Sequence, residues 1–208
     1  MATTTEIIAK EGWKPIGIAL FGVVLMWLLD SDILVFLCLV VLICLMYCYR
    51  NLERIAEDIA DDCVLAPLDG IVQNIQNKED GIYIEIKKPI CFCGMLRMPI
   101  ARIGDYGEAK EIEHINGLKN GNYINGEHIK IAFKRDHNKN IKLHLTLYPR
   151  YFSQIVLYLW DSNFKLGERL GFFLSGNAIF EIPLKSQLKV NIGDKIYAGQ
   201  TLLAKIST

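Results

Sequence analysis

Two uncharged apolar stretches, residues 15–29 (PIGIALFGVVLMWLL) and 33–49 (ILVFLCLVVLICLMYCY), stand close together near the start of the chain. They limit what the chain can become, because segments this apolar need a non-aqueous surrounding. Each is slightly shorter than the roughly 20 residues that carry a helix across hydrocarbon. Asp30, Ser31 and Asp32 separate them. One continuous buried helix would place two aspartates in mid-membrane at high cost, whereas a short acidic link can join two antiparallel helices at a water interface. The spacing therefore predicts a transmembrane helical hairpin over 15–49. Lys10 and Lys14 precede the first stretch, and Arg50 and Arg54 follow the second. By the positive-inside bias, residues 1–14 and everything after residue 50 are cytoplasmic, which implies the inner membrane. Trp13, Trp27, Tyr47 and Tyr49 sit at the ends of the spans, where amphipathic rings favour the headgroup layer. No small-residue cleavage site follows the first stretch, which argues against a cleaved signal peptide.

The remainder has the composition of a soluble domain. Lysine plus arginine and aspartate plus glutamate number 23 each, so no net field points to nucleic acid as a partner. Cys38, Cys44 and Cys48 lie in the apolar region and act as small hydrophobes. Cys91 and Cys93 are a close pair without the second Cys or His pair that a metal site needs, so no metal is expected. Reduced thiols suit a cytoplasmic domain.

Residues 50–63 place Leu52, Ile55 and Ile59 at helical spacing, which reads as an amphipathic connector helix or as a plain connector. From Val64 onward the apolar period becomes two. Ile82, Ile84 and Ile86 share a face, as do Ile129, Ile131 and Phe133, and Ile141, Leu143, Leu145 and Leu147. Turn residues such as Asn116-Gly117 and Asn125-Gly126 separate these runs. Residues 64–208 are thus predicted to form one all-β domain, a barrel or a sandwich. Its first segment (Ala66-Pro-Leu-Asp69-Gly70) and its last (189–204) look like the halves of a biotinyl- or lipoyl-type barrel. The chain has no modifiable lysine on a suitable hairpin, so a carrier role is not expected.

Taken in order, four motifs carry a resemblance over nearly the whole chain: Lys10-Glu-Gly-Trp13, Tyr49-Arg-Asn-Leu-Glu-Arg54, Ala66-Pro-Leu-Asp69-Gly70 and Leu166-Gly-Glu-Arg-Leu-Gly171. Together they resemble phosphatidylserine decarboxylase of the short bacterial type. The resemblance implies a membrane hairpin followed by a barrel-sandwich-like decarboxylase domain. It also implies self-cleavage at a serine that follows glycine, which leaves a pyruvoyl group. An aspartate–histidine pair would activate that serine.

On this resemblance the family-site positions are Asp69, Gly94, Arg97 and Asn177. Gly94 stands where the histidine is expected and Asn177 where the serine is expected. Asparagine has no hydroxyl to attack its preceding carbonyl, and glycine offers no base. Ser175 is the possible substitute nucleophile, although it follows Leu174 and not glycine. Asp69 reads equally as a base and as a turn residue of a Pro-x-Asp-Gly corner. His114, His128, His137 and His144 read as solvated or structural side chains. The reading is a degenerate family member with no catalytic residues and no pyruvoyl cofactor. It would act as a scaffold or lipid-binding subunit of an inner-membrane assembly, with the bilayer, an aminophospholipid and membrane proteins as partners. The alternatives are an active decarboxylase that uses Ser175, or a barrel-sandwich membrane adaptor.

Overall fold

The computed structural model describes residues 7–56, 60, 62–100, 106–117, 126–135, 142–158 and 163–206. The chain divides into two compact units, Met1–Leu52 and Glu53–Thr208.

In the first unit a 3-10 turn at Lys10–Gly12 leads into α1 (Trp13–Leu28), and α2 spans Asp32–Cys48. The link is tight, with Asp30 at φ 51°, a left-handed conformation that aspartate tolerates better than most residues. Asp32 lies in the first turn of α2, where its charge favours the helix dipole. The two helices pack side by side, and an ideal Cβ on Gly22 would lie 3.8 Å from Cys38 Sγ. Beyond the hairpin the chain ends are tied by Ala9 N–H donating to Tyr49 O and Asn51 N–H to Ile7 O, both at 2.8 Å. Here the glycine of the Lys10-Glu-Gly-Trp13 motif finds its reason. A Cβ on Gly12 would stand 2.6 Å from Tyr49 Cβ, so the close approach requires glycine.

Neither helix buries a residue, and large apolar side chains such as Phe21, Ile33 and Phe36 are exposed. Continuous helix over Lys10–Leu28 is long and apolar enough to cross a membrane. The second helix has 17 residues, about 25 Å at 1.5 Å per residue. The expectation of two equivalent spans is therefore met by one helix of spanning length and a shorter apolar companion.

The connector helix expected over 50–63 is not formed at residues 51–56; Ile59 lies outside the described residues. A helix this short is marginal in water without a surface to pack on. Ile55 is exposed, while the neighbouring Arg54 is drawn to Asp69.

The second unit is all β among its described residues. Its strands are β1 (Cys63–Leu65), β2 (Gly70–Lys78), β3 (Gly81–Lys88), β4 (Met95–Arg97), β5 (Gly107–Ile115), β6 (His128–Arg135) and β7 (Lys142–Pro149). There follow β8 (Ile155–Leu157), β9 (Asn163–Phe164), β10 (Arg169–Phe173), β11 (Gly176–Ile182), β12 (Ser186–Leu188), β13 (Lys195–Ile196) and β14 (Leu202–Ile206). The main sheet runs β13-β2-β3-β11-β7-β6-β5-β9, and two small sheets run β1-β14-β12 and β4-β10-β8. All strand pairings among the described residues are antiparallel, so one face can be apolar and the other wetted.

The period-two reading holds. Ile82, Ile84, Ile86, Ile129, Ile131, Phe133, Leu143, Leu145 and Leu147 are all buried in one core; Ile141 lies outside the described residues. The two ends of the domain also meet as expected, since β1 pairs with β14 and β2 with β13. Each terminal segment has an apolar face that it covers only by joining the other.

Candidate functional site at the end of the main sheet

Three neighbouring strands, β3, β11 and β7, end together. In the ladder Gly176 stands between Lys88 and Pro149, and Asn177 between Lys87 and Tyr148. Alternation explains the two lysines. Lys87 points away from the core, while Lys88 is in phase with Ile82, Ile84 and Ile86 and is buried to 2% exposure. The stem of Lys88 thus enters the core, and Nζ donates to Phe92 O at 3.2 Å. At position 176 the backbone adopts φ 153°, and an added Cβ would meet Tyr148 O at 2.2 Å, so only glycine fits.

A pocket of about 340 Å³ opens at this sheet end. Lys87, Lys88 and Arg150 line it with Pro89, Ile90, Ser175, Gly176 and Asn177, and no acidic residue contributes. Ser175 is buried and held at both backbone groups. Its N–H donates to Ser153 Oγ at 3.0 Å, and its carbonyl accepts from Arg150 N–H at 3.2 Å. The recess is lined by Lys87 and Arg150 together with Ser175 and Asn177, a set suited to binding an anion by charge-assisted hydrogen bonds.

The other family-site positions lie elsewhere. Asp69 is fully buried, and Arg54 grips it through both oxygens: Nη1 bonds Oδ1, and Nη2 donates to Oδ2 at 2.7 Å. Oδ1 also accepts from Ala198 N–H at 2.8 Å. Burial would lower the Arg54 pKa, but the hydrogen bond and charge of Asp69 outweigh it and hold the guanidinium above its ordinary value. Asp69 is therefore the centre of a structural ion pair, and it does not line the pocket. Arg97 is buried too and donates from Nη1 to Gly167 O at 2.9 Å. Burial, and then the neighbouring charge of Arg169, lower its pKa. Gly94 is packed beneath an aromatic ring. An ideal Cβ there would lie 2.2 Å from Phe172 Cε2, and Gly94 O accepts from Phe173 N–H at 2.7 Å.

None of His114, His128 and His144 lines the pocket. His144 faces Glu181, His114 faces Glu111, and His128 packs on the Tyr148 ring. His137 lies outside the described residues. Of the predicted positions the structure brings Ser175 and Asn177 together at the pocket, while Asp69 and Arg97 meet apart from it, around Arg54 and residues 198–199. Lys87, Lys88 and Arg150 escaped the sequence reading, yet one signal was available: a lysine in phase with three buried isoleucines.

A β domain preceded by two apolar helices, one of them long enough to cross a membrane, with a pocket lined by basic residues, is the class that this fold and site define. Comparison with known proteins refines it. Over 209 residues the chain is 26% identical to the phosphatidylserine decarboxylase proenzyme of Desulfotalea psychrophila, covering 96% of each. To the proenzyme of Geotalea uraniireducens it is 25% identical, covering 94% of this chain and 95% of that one. To that of Rickettsia prowazekii it is 26% identical, over 76% and 73%. No protein-family model and no solved structure matches. These similarities, spread over most of the chain, support the resemblance to phosphatidylserine decarboxylases carried by its motifs.

This corrects one expectation. The sequence reading excluded a pyruvoyl group, but the relatives are proenzymes, which carry that group through self-cleavage, so its exclusion does not stand. Such a group supplies an electrophilic carbonyl that takes up a substrate amine and accepts electrons as carbon dioxide leaves. In this chain the residues fit it at one point only. Position 177 has no hydroxyl and position 94 no room, whereas Ser175 sets a buried hydroxyl-bearing residue on the pocket wall.

Proposed function

We propose that this chain is a phosphatidylserine-decarboxylase-like membrane protein that holds an aminophospholipid headgroup in the pocket at residues 175–177. It serves there as a lipid-binding subunit of an inner-membrane assembly, with the hairpin in the bilayer and the β domain on the cytoplasmic side. One observation carries the reading: Lys87 and Arg150 line the pocket beside Ser175 and Asn177, and among the described residues no acid does. A phosphodiester or carboxylate placed there gains hydrogen bonds to cations, each worth about 1.5–3 kcal/mol. Ser175 and Asn177 add neutral partners at the same wall.

The test is titration of the purified full chain in detergent with short-chain phosphatidylserine and short-chain phosphatidylcholine. Phosphatidylserine should bind more tightly, and Arg150→Ala should weaken it about tenfold. Equal affinity for the two lipids would refute headgroup recognition. A second reading, a decarboxylase that uses Ser175, draws on the placement of that residue in the pocket. The intact mass distinguishes the two. A single 23.6 kDa chain fits the binding subunit, and cleavage between Leu174 and Ser175 identifies the enzyme.

A further inference from the structure

Beside the pocket is a feature that the domain does not use for its own packing. Ser153 N–H donates to Arg150 O at 2.9 Å and closes a turn with Tyr151 and Phe152 at its tip. Phe152 is 99% exposed and Tyr151 64%. Phe152 also has φ 59°, at a turn position that favours glycine or asparagine. A bulky side chain held in a left-handed conformation is costly, and here no buried contact offsets the cost. Exposed apolar groups of this kind mark an interaction surface when they cluster. Ile90, 51% exposed, lines the same pocket as Arg150, so apolar and basic side chains share one rim.

We propose that this rim, Ile90, Tyr151 and Phe152 with Lys87 and Arg150, is a docking surface for an anionic phospholipid bilayer. It would lay the mouth of the pocket on the membrane. Aromatic tips enter the headgroup layer, where an amphipathic ring is most stable, and the cations meet lipid phosphates. Charge complementarity selects this occupant over a protein surface of mixed charge: Lys87 and Arg150 line the pocket beside the turn, and among the described residues no acid does. The apolar helices in the first unit supply a membrane tether in the same chain. The inference shares the pocket with the proposed function, but it rests on the turn and requires no headgroup selectivity.

Hydrogen–deuterium exchange on the full chain, reconstituted in nanodiscs, tests it. One set of discs contains phosphatidylcholine alone, and the other contains added phosphatidylglycerol. A basic residue near an anionic surface adds about fivefold to partitioning, so Lys87 and Arg150 together predict about 25-fold slower exchange at residues 151 and 152 on the anionic discs. Phe152→Asp should abolish the slowing and leave short-chain phosphatidylserine binding intact. Aspartate tolerates the left-handed backbone, and no packing is lost, so the variant folds. Phe152→Trp should retain the slowing. Equal exchange on the two discs overturns the proposal, as does slowing that survives Phe152→Asp. Slowing in detergent that grows with protein concentration assigns the rim to a second copy of the chain, and overturns it too.

Discussion

Asp69→Ala should lower the unfolding free energy of the β domain by about 3–5 kcal/mol. The substitution removes the carboxylate that pairs with Arg54, whose side chain is 11% exposed and otherwise rests over the Tyr197 ring, and leaves a guanidinium buried without its counter-charge. It also removes the acceptor for Ala198 N–H. An unmade hydrogen bond at a buried group costs more than a made one contributes. The pair spans the domain in sequence, since Arg54 comes from its first residues and Ala198 from the segment before β14. Urea midpoints of the full chain in detergent measure the effect. The paired change Arg54→Met with Asp69→Leu should recover most of the loss, because apolar replacements need no counter-charge. Were Asp69 a base poised for chemistry and not a structural anchor, alanine there would shift stability by less than about 1 kcal/mol.

Gly94→His, which puts a histidine where the resemblance expects one, should destabilise the domain by about 2–3 kcal/mol. Three atoms of the Phe172 ring lie 2.2, 2.5 and 2.9 Å from where its Cβ would be. Phe172 is fully buried, and Phe172→Ala alone should cost about 3–5 kcal/mol through the cavity it leaves. Combined, the two changes should be less damaging than their sum by at least about 1 kcal/mol, because the imidazole enters the vacated space. A double-mutant cycle of urea midpoints reads this coupling directly, and additive losses would show that the two positions do not compete for one volume.

Much of the architecture was legible in the residues. Apolar runs without charge marked the helices, and period-two runs such as Ile82, Ile84 and Ile86 marked the strands. The failures were of two kinds. Helical spacing at Leu52, Ile55 and Ile59 predicted a connector helix, yet residues 51–56 form none, since spacing says nothing of whether a surface exists to receive the face. Asp69 reads as a base or a turn residue, but its partner Arg54 reads only as a flanking positive charge, because which side chains pair depends on the tertiary fold.

The difference is one of range. Periodicity and composition act within a few residues of their cause, so the sequence by itself determined the hairpin, the β-rich body and the meeting of its ends. Motif order likewise determined the family resemblance. Which side chains share a site depends on register between strands far apart in the chain. Only the tertiary structure decided that β3, β7 and β11 end together, bringing Lys87, Lys88 and Arg150 to Ser175 and Asn177. Only it decided that Phe172 fills the space beside Gly94, because a close-packed core assigns each volume once.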